Sequence, residues 1–258
     1  MHSYFYGGAS DIGYQRDINE DYVNIVELDE HTLLAVVSDG AGSKCSALQP
    51  ASIAANIVIE TIRRIYSDEK SLLETYPELL LREALHMANR TLGAFRMGNE
   101  ELYAGFGAGM TCCIFFKDGN FSFAHTGNAR LYLIRKNSKN GYPSLRQLTK
   151  DQTKAQRLLD EGMITPEHYH THPDRLIITG GLGFVSEPAI QSFSGALKRQ
   201  DIVLLTTDGI HYSIIPEAVM QLVIASENCD NAVSTLIAAA KMQKYPDNMS
   251  AAVIWNRS

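Results

Sequence analysis

Acidic residues stand repeatedly where apolar, strand-like runs begin or end. TLLAVVS (Thr32–Ser38) leads directly into Asp39-Gly40, and IVLLTT (Ile202–Thr207) leads into Asp208-Gly209. Asp247-Asn248 stands just before MSAAVIW, and Asn19-Glu20-Asp21 just before YVNIVEL. One Asp-Gly pair is an ordinary turn dipeptide. The recurrence asks for a common cause: strand ends delivering carboxylates to one rim of a sandwich. Massed carboxylates repel one another and resist desolvation, and divalent cations relieve both problems. The donors are all hard oxygens, which favour Mg²⁺, Mn²⁺ or Ca²⁺ over zinc or copper. Glycine after the aspartate permits a tight turn, and at Gly40 it would let a backbone carbonyl approach a cation closely.

The rest of the patterning predicts helices outside packed sheets. Strands are expected over Tyr4–Ala9, Tyr22–Leu28 and Thr32–Ser38. A helix is expected over Ala47–Tyr66, with Ala54, Ile57, Val58, Thr61, Ile62 and Ile65 on one face, and a second over Pro77–Gly98, with Leu80, Ala84, Leu85, Ala88 and Leu92 as its stripe. Residues 110–127 read as a hairpin turning at Asp118-Gly119-Asn120. Strands over Arg130–Arg135 and Ser144–Leu148 precede a helix over Asp151–Gly162 and an irregular polar stretch over Thr165–Asp174, which opens at Thr165-Pro166-Glu167 on a short helical turn with Thr165 as N-cap and Pro166 at N1. A buried strand at Ile202–Thr206, helices at Pro216–Ser226 and Cys229–Gln243, and a strand at Ser250–Trp255 close the chain. Strands and helices do not alternate strictly, so the expectation is α+β with antiparallel sheets rather than a doubly wound parallel fold. No repeat or linker divides residues 1–258, so one domain is expected.

Composition excludes several classes. Of 258 residues, 45% are apolar and 20% charged, enough for a full core, and the net charge is −6. A nucleic-acid binder would show a basic excess or stripe; none is found. The negative balance gives no long-range pull on a phosphorylated substrate, so phosphate must be held locally, by metal or arginine. No stretch approaches a transmembrane length, and MHSYFYGGAS lacks the pattern of a secretory signal, so a cytoplasmic protein away from the membrane is expected. Cys45, Cys112, Cys113 and Cys229 lack zinc-site spacing and read as reduced structural residues, with Cys112 and Cys113 on opposite faces of a strand.

A series of motifs in chain order resembles the type 2C, or PPM, family of metal-dependent protein phosphatases. Gly13 to Asp21 (GYQRDINED) is similar to G-x-x-R-x-x-N-E-D, and Val37 to Gly42 (VSDGAG) to V-x-D-G-M-G. Gly109-Met110-Thr111 stands at G-T-T, Ala124 to Arg130 (AHTGNAR) at A-x-x-G-D-S-R, and Leu148 to Gln152 (LTKDQ) at L-T-x-D-H. Gly180 to Gly183 falls near R-A-L-G, Leu205 to Gly209 (LTTDG) resembles L-x-S-D-G, and Asp247 to Ser250 (DNMS) resembles D-N-I-T.

The resemblance implies a four-layer α-β-β-α sandwich with a flap near residues 152–175. It implies a phosphoserine/phosphothreonine protein phosphatase with two Mg²⁺ or Mn²⁺ ions held by Asp39, the Gly40 carbonyl, Asp208 and Asp247. Glu20 and Asp21 would act through metal-bound waters. Arg16 would grip the substrate phosphate with a planar fork that lysine cannot copy. A water between the cations would attack phosphorus in line, with no covalent phosphoenzyme. That fits the cysteines, none of which has the arginine six positions on that thiol-based phosphatases carry. The compact bacterial members it resembles imply a monomer opposing a Ser/Thr kinase or acting on its targets. Asn128 replaces a family aspartate at a third metal, implying a weak or altered third site. Gln152 replaces a histidine. Both departures keep open a catalytically weak regulatory or binding module on the same fold, and a small anti-anti-sigma-type protein is another possible substrate. His168, His170 and His172, if extended, would share one face, but their polar, proline-flanked setting reads as an exposed loop on the flap.

Overall fold

The computed structural model describes residues 4–42, 48–98, 101, 103–136 and 141–257. Cys45 and Ala47, the expected start of the first helix, lie outside them. In chain order the elements are β1 (Tyr4–Asp11), β2 (Tyr22–Asp29), β3 (Thr32–Ala41), α1 (Pro50–Thr75), α2 (Pro77–Gly98), β4 (Gly107–Phe115), β5 (Asn120–Thr126), β6 (Arg130–Lys136) and β7 (Pro143–Gln147). Then come α3 (Lys154–Asp160), α4 (Pro166–Tyr169), a 3-10 turn (Pro173–Leu176), β8 (Gln191–Ala196), β9 (Ile202–Thr206), α5 (Asp208–His211), α6 (Pro216–Ala225), α7 (Cys229–Met242) and β10 (Met249–Asn256).

The strands form two antiparallel sheets, ordered β1-β10-β9-β6-β7 and β2-β3-β4-β5-β8. Three apolar layers hold them together. Residues such as Val36, Val58, Leu85 and Cys112 join the second sheet to α1 and α2. Leu204, Val233, Leu236 and Val253 join the first sheet to α6 and α7. Val37, Cys113, Phe123, Leu131 and Leu205 fill the space between the sheets. Cys112 and Cys113 thus serve opposite faces of β4, as the period-2 geometry of a strand requires. The result is the expected α-β-β-α sandwich.

Four expectations need correction. The first helix runs beyond Tyr66 to Thr75 across a kink at Glu69 (φ −143°, ψ 57°), where the apolar period lapses in a polar stretch. Residues 151–153 are not helical: Thr153 caps α3 from an extended conformation. The short helical turn expected after Thr165 is α4, but it and the 3-10 turn leave no extended loop, so His168, His170 and His172 do not alternate on one face. Thr165 stands before Pro166 as expected, but its side chain makes no capping bond. Strand β8 was not anticipated, because QSFSGA is small and polar; it is an edge strand on β5, paired from His125↔Gln191 to Asn120↔Ala196.

Phe123 is fully buried between the sheets. Phe123→Ala is expected to cost about 3–5 kcal/mol by chemical denaturation. A loss well under 1 kcal/mol would mean that the inter-sheet layer does not carry this weight.

Candidate metal centre

Antiparallel pairing brings the four acidic clusters to one end of the sandwich. Tyr22 pairs with Ser38, so Asp21 and Asp39 emerge side by side. Thr206 pairs with Ala251, so Asp208, just beyond β9, and Asp247, just before β10, emerge at the matching end of the other sheet. Opposite Asp39 stands Gly109, where a Cβ would come within 2.8 Å of Asn128 Oδ1. A Cβ on Gly40 would lie 2.6 Å from the Glu20 carbonyl oxygen, so glycine is required for the chain to pass there.

The carboxylates carry the electrostatic signature of a crowded anionic site. Burial pushes the Asp21 carboxyl up to about 8, with Asp208 and Asp247 adding to the rise, although Thr207 Oγ1 donates to its Oδ2 at 2.7 Å. Burial and the charges of Asp21 and Asp247 raise Asp39 well above the usual range, and burial and the charges of Asp39 and Asp247 do the same to Asp208. Protein donors oppose the repulsion. Asn128 Nδ2 donates to Asp39 Oδ2 and Asp208 Oδ2, both at 3.2 Å. Arg16 Nη2 donates to Asp247 Oδ2 at 2.9 Å, and its Nε donates to the Pro246 carbonyl at 3.1 Å. Arg16 therefore stands at the acidic rim as expected, but paired with Asp247. Partial burial works against its charge, and Asp247, Glu20 and Asp208 more than offset that.

The donor set fits divalent cations. It is made of hard oxygens on carboxylates that burial and repulsion leave reluctant to ionise together. Asn128 Oδ1 adds a buried acceptor with no hydrogen-bond partner. Among the described residues, no three His, Cys, Asp or Glu side chains already converge as a cage. Asn128 Nδ2 instead bonds both Asp39 and Asp208, and Arg16 Nη2 bonds Asp247.

The family model for protein phosphatase 2C matches residues 13–245. The chain belongs to the protein phosphatase 2C family. It is 30% identical over 250 residues to the serine/threonine protein phosphatase PstP of Mycobacterium tuberculosis, covering 96% of this chain and 44% of PstP. The chain thus spans less than half the length of that relative. Protein phosphatase PhpP of Streptococcus pneumoniae is 25% identical over 245 residues, 95% of this chain and 94% of PhpP. The crystal structure of M. tuberculosis PstP/Ppp matches with a TM-score of 0.82 at 26% identity, covering 99% of both chains. A structure of the PstP catalytic domain in complex with two manganese ions matches with a TM-score of 0.74 at 27% identity, covering 98% of this chain and 97% of that one.

Within this type 2C frame, several motif residues to which the sequence assigned no role prove to be braces. Asn248 Oδ1 accepts from the Glu20 backbone N–H at 2.9 Å, while its Nδ2 donates to the carbonyls of Ile12 and Ile18 at 2.9 and 3.1 Å. One buried amide thereby ties the Arg16–Asp21 segment to the Asp247 turn. Gln152, in place of the family histidine, is a cross-link: its Oε1 accepts from Thr126 Oγ1 and the Gly127 N–H at 2.9 and 3.0 Å, and its Nε2 donates to the Ala189 carbonyl at 2.7 Å. It holds the turn that presents Asn128, and Gly127 in that turn has φ +95°.

The flap, from α3 to the 3-10 turn, closes on itself through a Thr153↔Ile178 bridge. A buried ion pair anchors it. Arg130 forks onto Asp151, with Nε–Oδ1 at 2.9 Å and Nη2–Oδ2 at 2.7 Å, and Tyr169 of α4 donates to the same Oδ2 at 2.6 Å. Burial alone would raise the Asp151 carboxyl, but Arg130 wins and holds it down at about 2. Tyr212, just after α5, donates to the Arg175 carbonyl, and the Arg175 guanidinium lies 4.6 Å from its ring centroid. The signal for this brace was present in the sequence as an arginine and an aspartate inside two quoted motifs, but only contact shows that they pair.

Two outcomes follow from these groups. Asp151→Asn leaves Arg130 buried without its counter-charge and is expected to cost about 3–5 kcal/mol in chemical denaturation; a loss under 1 kcal/mol would show that the pair is dispensable. Asp21 has an ordinary value of 3.8 and a folded value of about 8, so between those values the folded chain keeps a proton that the unfolded chain has released. Stability therefore falls as pH rises through that window, by up to about 1.4 kcal/mol per pH unit for each such proton. Chelator-treated protein should melt at a lower temperature near pH 8 than near pH 5, with a flatter slope in Asp21→Asn; an unchanged slope would exclude Asp21 as a cause.

Proposed function

We propose that this domain is a metal-dependent phosphoserine/phosphothreonine protein phosphatase. The observation that carries the reading is that Asp21, Asp39, Asp208, Asp247 and Arg16, from segments far apart in sequence, stand at one partly buried acidic end of a protein phosphatase 2C fold. Asp39, the Gly40 carbonyl, Asp208 and Asp247 would hold two Mg²⁺ or Mn²⁺ ions; the two manganese ions named with the PstP catalytic domain support that stoichiometry. Cations bound there would supply an attacking water of lowered pKa and charge neutralisation for phosphoryl oxygens.

The chain's own residues supply the rest. Arg16 is half-exposed, so its fork can turn from Asp247 to a phosphate with little desolvation. Asp21 is fixed by Thr207, whose Oγ1 also accepts from the Ser250 N–H at 3.0 Å, so its carboxyl is held rigidly behind the rim with Glu20 beside it. Asn128 presents its N–H₂ group, not its oxygen, to Asp39 and Asp208, which supports a weak third metal position at this residue. The substrate would be a phosphorylated protein, a Ser/Thr kinase or its targets, met by a monomer. No helix among the described residues is long and apolar enough to cross a membrane, and a cytoplasmic setting is part of this proposal.

The test is turnover of p-nitrophenyl phosphate and a phosphothreonine peptide with Mn²⁺, Mg²⁺ or EDTA. Activity is expected only with metal, and Asp39→Asn or Asp208→Asn should lower it by at least about 100-fold, beyond the usual effect of outer-shell changes. Arg16→Lys should raise KM for the peptide. Folded protein inactive with every metal would point instead to a regulatory module, for which the Asn128 amide between the two aspartates would be the first cause to examine.

A further inference from the structure

Beside the flap, α2 and the segment 183–191 enclose a trench that the proposed chemistry does not use. Its widest part, about 830 Å³, lies between Arg82 and His86 of α2, Arg157 of α3, and Gln152. It continues through a part of about 500 Å³ at His86 and Arg90 to one of about 340 Å³ at Arg90 and Arg96. Arg82, His86 and Arg90 recur at i, i+4 and i+8, so they form one row along a helical face. Arg82 and Arg90 of that row, with Arg96 and Arg157, bring four guanidinium groups to the trench of a chain whose net charge is −6.

The row is not neutralised locally. Arg82 Nη1 donates to the Ile190 carbonyl at 3.0 Å, and Arg96 Nη1 to the carbonyls of Gly183 and Phe184 at 2.6 and 2.9 Å, so both hold the far wall through neutral acceptors. Among the described residues, Arg82, Arg90 and Arg96 form no ion pair, and Arg157 reaches Glu161 only at 4.0 Å. Of the carboxylates on the trench, Asp151 is taken by Arg130 and Asp160 by Lys150 Nζ at 2.7 Å, leaving Glu187. Gln152 lines the trench, and its Oε1 accepts from the Gly127 N–H one residue before Asn128. A chain lying against Gln152 is thus one side chain away from the turn that carries Asn128.

We infer that this trench is a docking groove for an acidic stretch of the phosphoprotein substrate, beside the phosphorylated residue. The inference rests on the phosphatase reading and adds the kind of sequence that the enzyme selects. From Arg82 to Arg90 the helix rises about 12 Å, which matches roughly four residues of extended peptide. Carboxylates spaced along such a segment would meet the arginines of the row.

The experiment compares two phosphothreonine peptides, flanked on both sides by about four glutamates or by as many glutamines. For the wild type at low salt, KM is expected to be about three- to tenfold lower with glutamates, the sum of a few exposed pairs that are each weak, and high salt should erase the difference. Arg90→Glu/Arg157→Glu changes two exposed side chains outside the metal centre; it should abolish the preference while leaving p-nitrophenyl phosphate turnover unchanged. Equal KM values in the wild type, or a preference that survives in the double variant, would overturn the groove. Fluorescence anisotropy with labelled forms of the two peptides reads docking without turnover. If no ester is hydrolysed with any metal, the phosphatase reading fails while salt-sensitive binding of the glutamate peptide, lost in the double variant, still supports the groove; no such binding overturns it.

Discussion

Crowded negative charge at one end of a sandwich is the constraint around which this molecule is arranged. Asp21, Asp39 and Asp208 are driven toward their protonated forms by burial and by one another. A fold that was only a scaffold would replace them, since buried like charges oppose folding. The chain instead holds them with neutral and cationic donors: the Asn128 amide across Asp39 and Asp208, Arg16 on Asp247, and Thr207 on Asp21. Each donor comes from a different segment, so the rim cannot form until both sheets have assembled.

A layer of braces stands behind that rim. Asn248 and Gln152 bond through both the oxygen and the nitrogen of their amides, each joining strand-end turns that sequence separates widely. Arg130 and Asp151 do the same for the flap, with the charge of one stabilising the other in a setting where either alone would be costly. These residues sit inside family motifs yet touch no reacting atom in the proposed chemistry. Positioning explains their presence, and it explains why a glutamine can stand at a histidine position: the oxygen and nitrogen of its one amide satisfy the Gly127 turn and the Ala189 carbonyl at once.

Much of this is legible in the chain itself. Apolar strands ending in Asp-Gly, the helical stripes of α1 and α2, and the hairpin turn at Asp118-Gly119-Asn120 all depend on local periodicity and turn chemistry, which the chain displays directly. What was misread lacked such a signal. Strand β8 owes its conformation to hydrogen bonds from β5 rather than to its own small polar residues. The second part of α1 continues past its apolar period and a kink because Leu73 packs back into the core. The histidines of the flap looked like a row only while the segment was taken as extended.

The sequence by itself determined the acidic clusters, the order of the motifs, the family resemblance and the expectation of layered antiparallel sheets, because these follow from residue identity and spacing of two or three to four. Tertiary structure alone decided that Arg16 pairs with Asp247, that Arg130 is buried on Asp151, that Asn128 turns its amide between two aspartates, and that the cations of α2 line an open trench. Those facts depend on side chains from remote segments meeting in three dimensions. No local pattern in the chain encodes which distant partner a charged or amide group will find.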